Sequence, residues 1–281
     1  MTAPTLSPSL GRGRKAGRDT HATRLRADRL RLIGIATFAV LFVAWYVLTT
    51  LTQTIGPGRF PAPSEVWDAL KQITISGYAD ARLQDHILHS VKLVLLGFAA
   101  ATLVGVPLGL AMGWSRAFEA FVNPAFLLIR PIPPLAWIPL AIVWLGLGDA
   151  AKVLIIWFAA FVPAVINSYA GVRTIDPYLI EAAQMLGVPR ALFVREVLVP
   201  AAMPMIFTGL RLSLQACWTT LVAGELIGAI AGLGHVLYQA SLDIFPAMIV
   251  VGMAAVAVTG AAMTIALGLI ERRAMPWRQQ R

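Results

Sequence analysis

The chain has a single cysteine, Cys217, among 281 residues. That excludes an internal disulfide and any metal site built from several thiolates, and the apolar run around it makes a packed thiol the plain reading. Charge is scarce as well. Asp, Glu, Lys and Arg make up 13% of the residues, about half the share of an ordinary soluble domain. Acidic residues are scarcer than basic ones, 14 against 23, for a net charge of +9. The basic residues crowd the chain ends and short polar breaks instead of forming one face, which argues against nucleic acid as a partner. No phosphate-cradling G-x-x-x-x-G-K-[ST] stretch is present, so the chain is expected to bind no cofactor and to hydrolyse no ATP itself. It carries no recognisable nucleophile–base constellation and no repeat of fixed period.

What fills the sequence instead is apolar surface: 58% of residues are hydrophobic and the mean hydropathy is +0.74. Such a chain needs the bilayer as its solvent. A helix crosses the hydrocarbon with roughly 20 apolar residues. Six stretches qualify: Leu32–Leu51, Ser90–Trp114, Ala120–Leu147, Ala151–Val172, Ala201–Ile230 and Phe245–Ile270. The first ends in Trp45 and Tyr46, is too long for a signal-peptide core and lacks a small-residue cleavage site, so it reads as a retained helix. The expectation is an all-α integral membrane protein with six transmembrane helices over residues 32–271. Basic tails flank them at 1–31 and 272–281, the first expected to be disordered and near anionic headgroups. Sixteen Lys and Arg residues fall on the side of the two termini and five on the other, which puts both termini in the cytoplasm. On the outer face, the loop from Gln53 to His89 is expected to hold a short helix with Ser64 as its N-cap and Glu65 in its first turn.

One segment, 176–200, breaks the apolar pattern. Asp176 before Pro177 is a helix start, an N-cap carboxylate followed by proline at the first helical position. A helix over Pro177–Leu186 would put Ile180, Ala183 and Leu186–Gly187 on one stripe. Gly187 supplies a left-handed stop, and Pro189 permits a second helix that leads to Pro200 and the fifth span. Ala182 and Ala183 would let a partner approach the backbone, with Glu181 and Arg190 or Arg195 at the rim fixing register. Helix-in-groove docking and a helix lying on lipid headgroups both fit this amphipathic segment.

Glu181-Ala182-Ala183, then Gly187, then Val197, Val199 and Pro200 follow the pattern E-A-A-x3-G-x9-I-x-L-P, with valines at the two aliphatic positions. The segment resembles the signature of the membrane subunits of binding-protein-dependent ABC importers. The strings RPIPPLAWIPLAIVWLGLGD (130–149), GLRLSLQACWTTLVAGELIGA (209–229) and MPW (275–277) are similar to the branch that imports taurine, aliphatic sulfonates and nitrate, with the taurine permeases nearest. The resemblance implies a type I importer permease (MetI-like) fold in which 176–200 is the coupling segment. Glu181, Ala182, Ala183, Gly187 and Pro200 would then dock on a cytoplasmic ABC ATPase that uses the ATP. It further implies an extracytoplasmic substrate-binding protein and a second permease copy as partners.

Arg130, Arg211 and Glu225 fall within the predicted spans, where an unpaired charge costs at least a few kcal/mol. Arg130 precedes Pro131-Ile132-Pro133-Pro134, which no regular helix can traverse. A guanidinium fork matches a sulfonate, so these three residues are candidates for the translocation path. The alternatives are an internal Arg–Glu pair, such as Arg211 with Glu225, or an arginine snorkelling to the cytoplasmic interface; 14 residues on one straight helix, about 21 Å, keep Arg211 and Glu225 from pairing within it. Trp137, Trp144, Trp157 and Trp218 could cage an ammonium, but packing explains them more simply. Small residues over Gly105–Gly113 should let helices pack closely. His86 and His89 share i, i+3 spacing beside Asp85, and an exposed loop helix explains them without a metal. An ion-coupled secondary transporter is the competing class, and its proton relay would rest on Glu225 alone.

Overall fold

The computed structural model describes residues 33–52, 58–226 and 231–277. The tail expected at 1–31, the last residues from 278 and the end of the fifth span at 227–230 lie outside them. The chain divides into two compact units, Met1–Ser64 and Glu65–Arg281.

The first unit holds α1, Ile33–Leu51, which is apolar on every side and long enough to cross a membrane. Its last turn, Val47–Leu51, widens to a π-type turn. Trp45 anchors this end by donating its indole N–H to the Pro61 carbonyl at 2.9 Å, with its ring edge-on to Phe42 and Phe60.

The second unit is built on three long helices: α3 (Leu83–Trp114), α6 (Asp149–Arg173) and α8 (Arg190–Glu225). Small residues on α3 recur every fourth position, Gly97, Ala101, Gly105, Gly109 and Gly113, and so line one face. That face lies against α6 so closely that a methyl at Gly109 would stand 2.4 Å from the Val165 carbonyl oxygen. Lipid tails offer no hydrophobic drive for helices to associate, so close backbone packing of this kind holds the pair. Between α6 and α8, Gly209 packs on Asn167 and Ser213 donates to the Ala160 carbonyl at 2.7 Å. Cys217 is fully buried in the same core.

The third predicted span is not one helix. α4 (Arg116–Ile129) and α5 (Pro134–Leu145) meet at an 83° bend at the proline run. Among the described residues, five helices are long and apolar enough to cross a membrane, or six if the bent pair counts as one span. α10 (Pro246–Ala274) is the last of the long ones, and a short α9 (Leu233–Leu242) precedes it. The loop helix α2 (Pro63–Lys71) starts one residue ahead of the predicted Ser64 cap, with Pro63 at its first position. It leads into a small core where Ala69 and Ile73 meet Val236, Ala240, Met248 and Val251.

Candidate functional site

The polar segment forms α7, Pro177–Met185, at the end of the bundle where α3 and α6 finish and α8 begins. Asp176 caps it by accepting from the Tyr178 N–H at 2.9 Å. At the other end Gly187 adopts φ +65°, which a side chain would strain. The amides of Gly187 and Val188 turn back to the carbonyls of Gln184 and Ala183, closing a Schellman stop. Both ends are therefore fixed by residues legible in sequence.

The faces of α7 divide differently from the expected stripe. Ala183 is buried in the chain's own core and Ile180 is half-buried, but Leu186 is 81% exposed, because the helical rotation from Ile180 to Leu186 carries it to another face. Tyr178, Ala182, Met185 and Leu186 follow i, i+4, i+7, i+8 spacing and all face away from the protein, Tyr178 and Met185 by 80% and 88%. Of the two alanines, then, only Ala182 is open to a partner. Glu181 and Arg190 are exposed, and Arg195 lies 3.7 Å from Glu196. Beneath α7, Trp114 and Phe193 pack rings 5.0 Å apart beside a 280 Å³ hollow that also touches Ala183, Gln184, Val188 and Arg190. Pro200 makes no break. A π-type turn at Val194–Leu198 absorbs the missing amide, and α8 runs on unbroken from Arg190. At this end Glu119 accepts from Tyr169 and pairs with Arg173, tying α4 to α6.

The three charges predicted inside the spans occupy separate places. Arg130 stands exposed at the 83° bend and makes no ion pair within the described residues. Arg211 does form an internal pair, but across to Glu271 on α10 and not with Glu225. Glu225 is fully buried at the opposite end of the bundle from α7. Its carboxylate accepts from the Ser90 hydroxyl at 2.9 Å and from the Gly234 N–H at 2.7 Å.

His86 is likewise not on an exposed loop helix. It sits in the first turn of α3, buried, where its Nδ1 accepts from the Gly232 N–H at 3.1 Å and its Nε2 faces the Tyr78 carbonyl at 3.0 Å. His89 approaches Asp149 at 3.3 Å. No group of three His, Cys, Asp or Glu among the described residues is arranged to hold a metal ion. Outside the spans, Tyr78 donates to Asp243, and burial first, then that carboxylate, push its phenol above the ordinary range.

Two of the four tryptophans meet through one ring: Trp137 stacks on Phe158, and Trp157 packs edge-on to Phe158 while stacking on Phe161. Trp218 is buried, and Trp144 is exposed. Sequence reading missed Ser90 and Glu271, which lie far along the chain from the groups they serve. It also missed the apolar outward face of α7, whose i, i+4, i+7, i+8 spacing was there to be read.

Residues 105–277 match the family described as binding-protein-dependent transport system inner membrane component. The chain is 37% identical over 262 residues to the taurine transport system permease protein TauC of Escherichia coli strain K12, covering 92% of this chain and 95% of that one. It is 29% identical to the nitrate import permease protein NrtB of a Synechocystis strain, over 86% of this chain and 88% of the relative. Among solved structures, an inward-facing form of the MetNI methionine ABC transporter has the same fold at a TM-score of 0.50 and 20% identity. That likeness covers 65% of this chain and 94% of the other.

Proposed function

From the premise that the chain belongs to the family of binding-protein-dependent transport system inner membrane components, we propose that it forms the translocation path for a small organic anion, taurine or a related alkanesulfonate. The family makes it a transport subunit, working with an ATPase and a substrate-binding protein, and not an enzyme. The observation that carries the reading is α7: a helix capped at both ends that turns Tyr178, Ala182, Met185 and Leu186 outward beside Glu181. An apolar face of that spacing fits a groove on another protein. In this reading the groove belongs to a cytoplasmic ATPase that binds and spends the ATP, both termini lie on the same side, and a second copy of the chain completes the path.

Substrate chemistry rests on Arg130. A helix broken at membrane depth is tolerated where it lines a wet cavity or is buried in protein, and Arg130 is exposed at such a break. Its planar donors suit a sulfonate's three oxygens. Similarity to a nitrate permease supports nitrate as the second candidate, since the same fork would bind it. Uptake of taurine into sealed vesicles holding the ATPase, with the binding protein outside, tests both parts. Transport should survive collapse of the proton gradient and stop when ATP is depleted. Arg130→Gln should cut uptake by roughly tenfold while the ATPase still copurifies. Uptake that follows the proton gradient would sink the ATP-driven reading, and undiminished uptake in Arg130→Gln would remove Arg130 from the path.

A further inference from the structure

Glu225 has surroundings that a path-lining acid does not need. Three elements meet at it. From α3 comes the Ser90 hydroxyl, 2.9 Å away. From the first turn of α9 comes the Gly234 amide at 2.7 Å. α8 supplies the residue itself, and beside it Gly224 shares a small hollow with the buried Lys152 of α6. The Ser90 hydroxyl is used twice, since it also accepts from the Leu233 N–H at 2.9 Å. His86, four residues earlier and therefore on the same face of α3, takes the neighbouring Gly232 N–H on its Nδ1. That places the imidazole proton on Nε2, directed at the Tyr78 carbonyl. Three consecutive amides at the start of α9, those of Gly232, Leu233 and Gly234, thus find acceptors on His86, Ser90 and Glu225. A helix start leaves such amides without backbone partners and favours negative charge.

The space is as specific as the bonds. A methyl at Gly232 would stand 2.1 Å from the Glu225 Oε1, and one at Gly234 would stand 2.6 Å from the Glu225 Cβ. Gly232 leaves room for this side chain, and Gly234 leaves room for it and for the Val222 carbonyl.

We infer that Glu225 is a positioning residue for transport: with Ser90 and His86 it fastens the start of α9 to α3 and to the far end of α8, so that the three helices move as one body. The inference rests on the importer reading for the word transport, but the fastening stands on the bonds alone. Its reach comes from α8, whose 36 residues span about 54 Å and whose other end adjoins α7. A change at the α9 end is then delivered along α8 to α7 without slack.

Hydrogen–deuterium exchange on the full chain in nanodiscs tests the fastening. Glu225→Gln keeps the shape but places an amide N–H₂ where an acceptor is needed, and Ser90→Ala removes the doubly used hydroxyl. Each should speed exchange at Leu233 and Gly234 by about tenfold and leave α7 at the wild-type rate. Unchanged exchange at α9 in both variants would overturn the fastening. Transport is tested in liposomes holding the permease and its ATPase, with the binding protein and taurine as the probe. Both variants should lower binding-protein-stimulated ATP hydrolysis by about tenfold while basal hydrolysis stays within about twofold. Basal and stimulated rates falling together mark a folding defect and overturn the positioning role, as does full stimulation. A wild-type importer that taurine does not stimulate counts against the substrate reading, and nitrate then replaces taurine as the probe.

Discussion

The two ends of the bundle solve opposite problems. At one, α7 sends its polar backbone inward to caps and its apolar side chains outward, so that Tyr178, Met185 and Leu186 stand in the open. At the other, the polar groups go inside: His86, Ser90 and Glu225 are fully buried, and each takes a backbone amide of α9 or of the turn before it. An exposed apolar face is what a partner recognises, and a buried polar cluster is what fixes geometry without one. In the proposed reading a partner grips the α7 end, whereas the α9 end holds itself through its own bonds.

Both ends depend on the shaft of helices between them. Gly109→Leu would drive a side chain into the α6 backbone. It should destabilise the chain by about 3 kcal/mol or more, read as a lowered melting temperature of the detergent-purified protein and loss of both ends together. Next in size, Ala182→Arg places bulk and charge on the outward face of α7 while touching nothing inside. ATPase capture should fall more than about tenfold, with the melting temperature unchanged and the α9 amides still protected. The smallest effect sharpens the contrast. Asp176→Ala removes one cap from α7, worth about 1 kcal/mol. Exchange should quicken by roughly fivefold in Tyr178 and its neighbours, whereas the α9 end, held by side chains distant in sequence, should not respond. Any spread of that change to Leu233 or Gly234 would show that the ends are less separable than the geometry makes them.

What could be read beforehand was whatever is local. Asp176–Pro177 and Gly187 set the ends of α7 through bonds two to five residues long, so the sequence alone located them. The small residues at Gly105–Gly113 announced close packing, though not that the row extends back to Gly97 or that α6 is its partner. The proline run at 131–134 marked a break but not its 83° angle, which depends on what each half packs against. The partner of Glu225 is Ser90, 135 residues away. No spacing rule reaches across that distance. The same holds for Arg211, whose charge could be seen to need an acid while Glu271, 60 residues on, could not be identified as that acid. Leu186 was misplaced for a smaller reason: repeated steps of three residues, from Ile180 to Ala183 to Leu186, drift round a 3.6-residue helix and leave its buried face.

The link from Met185 to Arg190 carries one more consequence. Leu186 and Gly187 are bonded back onto α7, Val188 is tied to Ala183, and Pro189 has a ring-locked backbone. Such an elbow has no free joint in which to lose motion. Two glycines inserted after Val188 would act as a clutch: the partner proposed for α7 could still hold it, yet any travel of α7 would spin idle and never turn the long helix beyond.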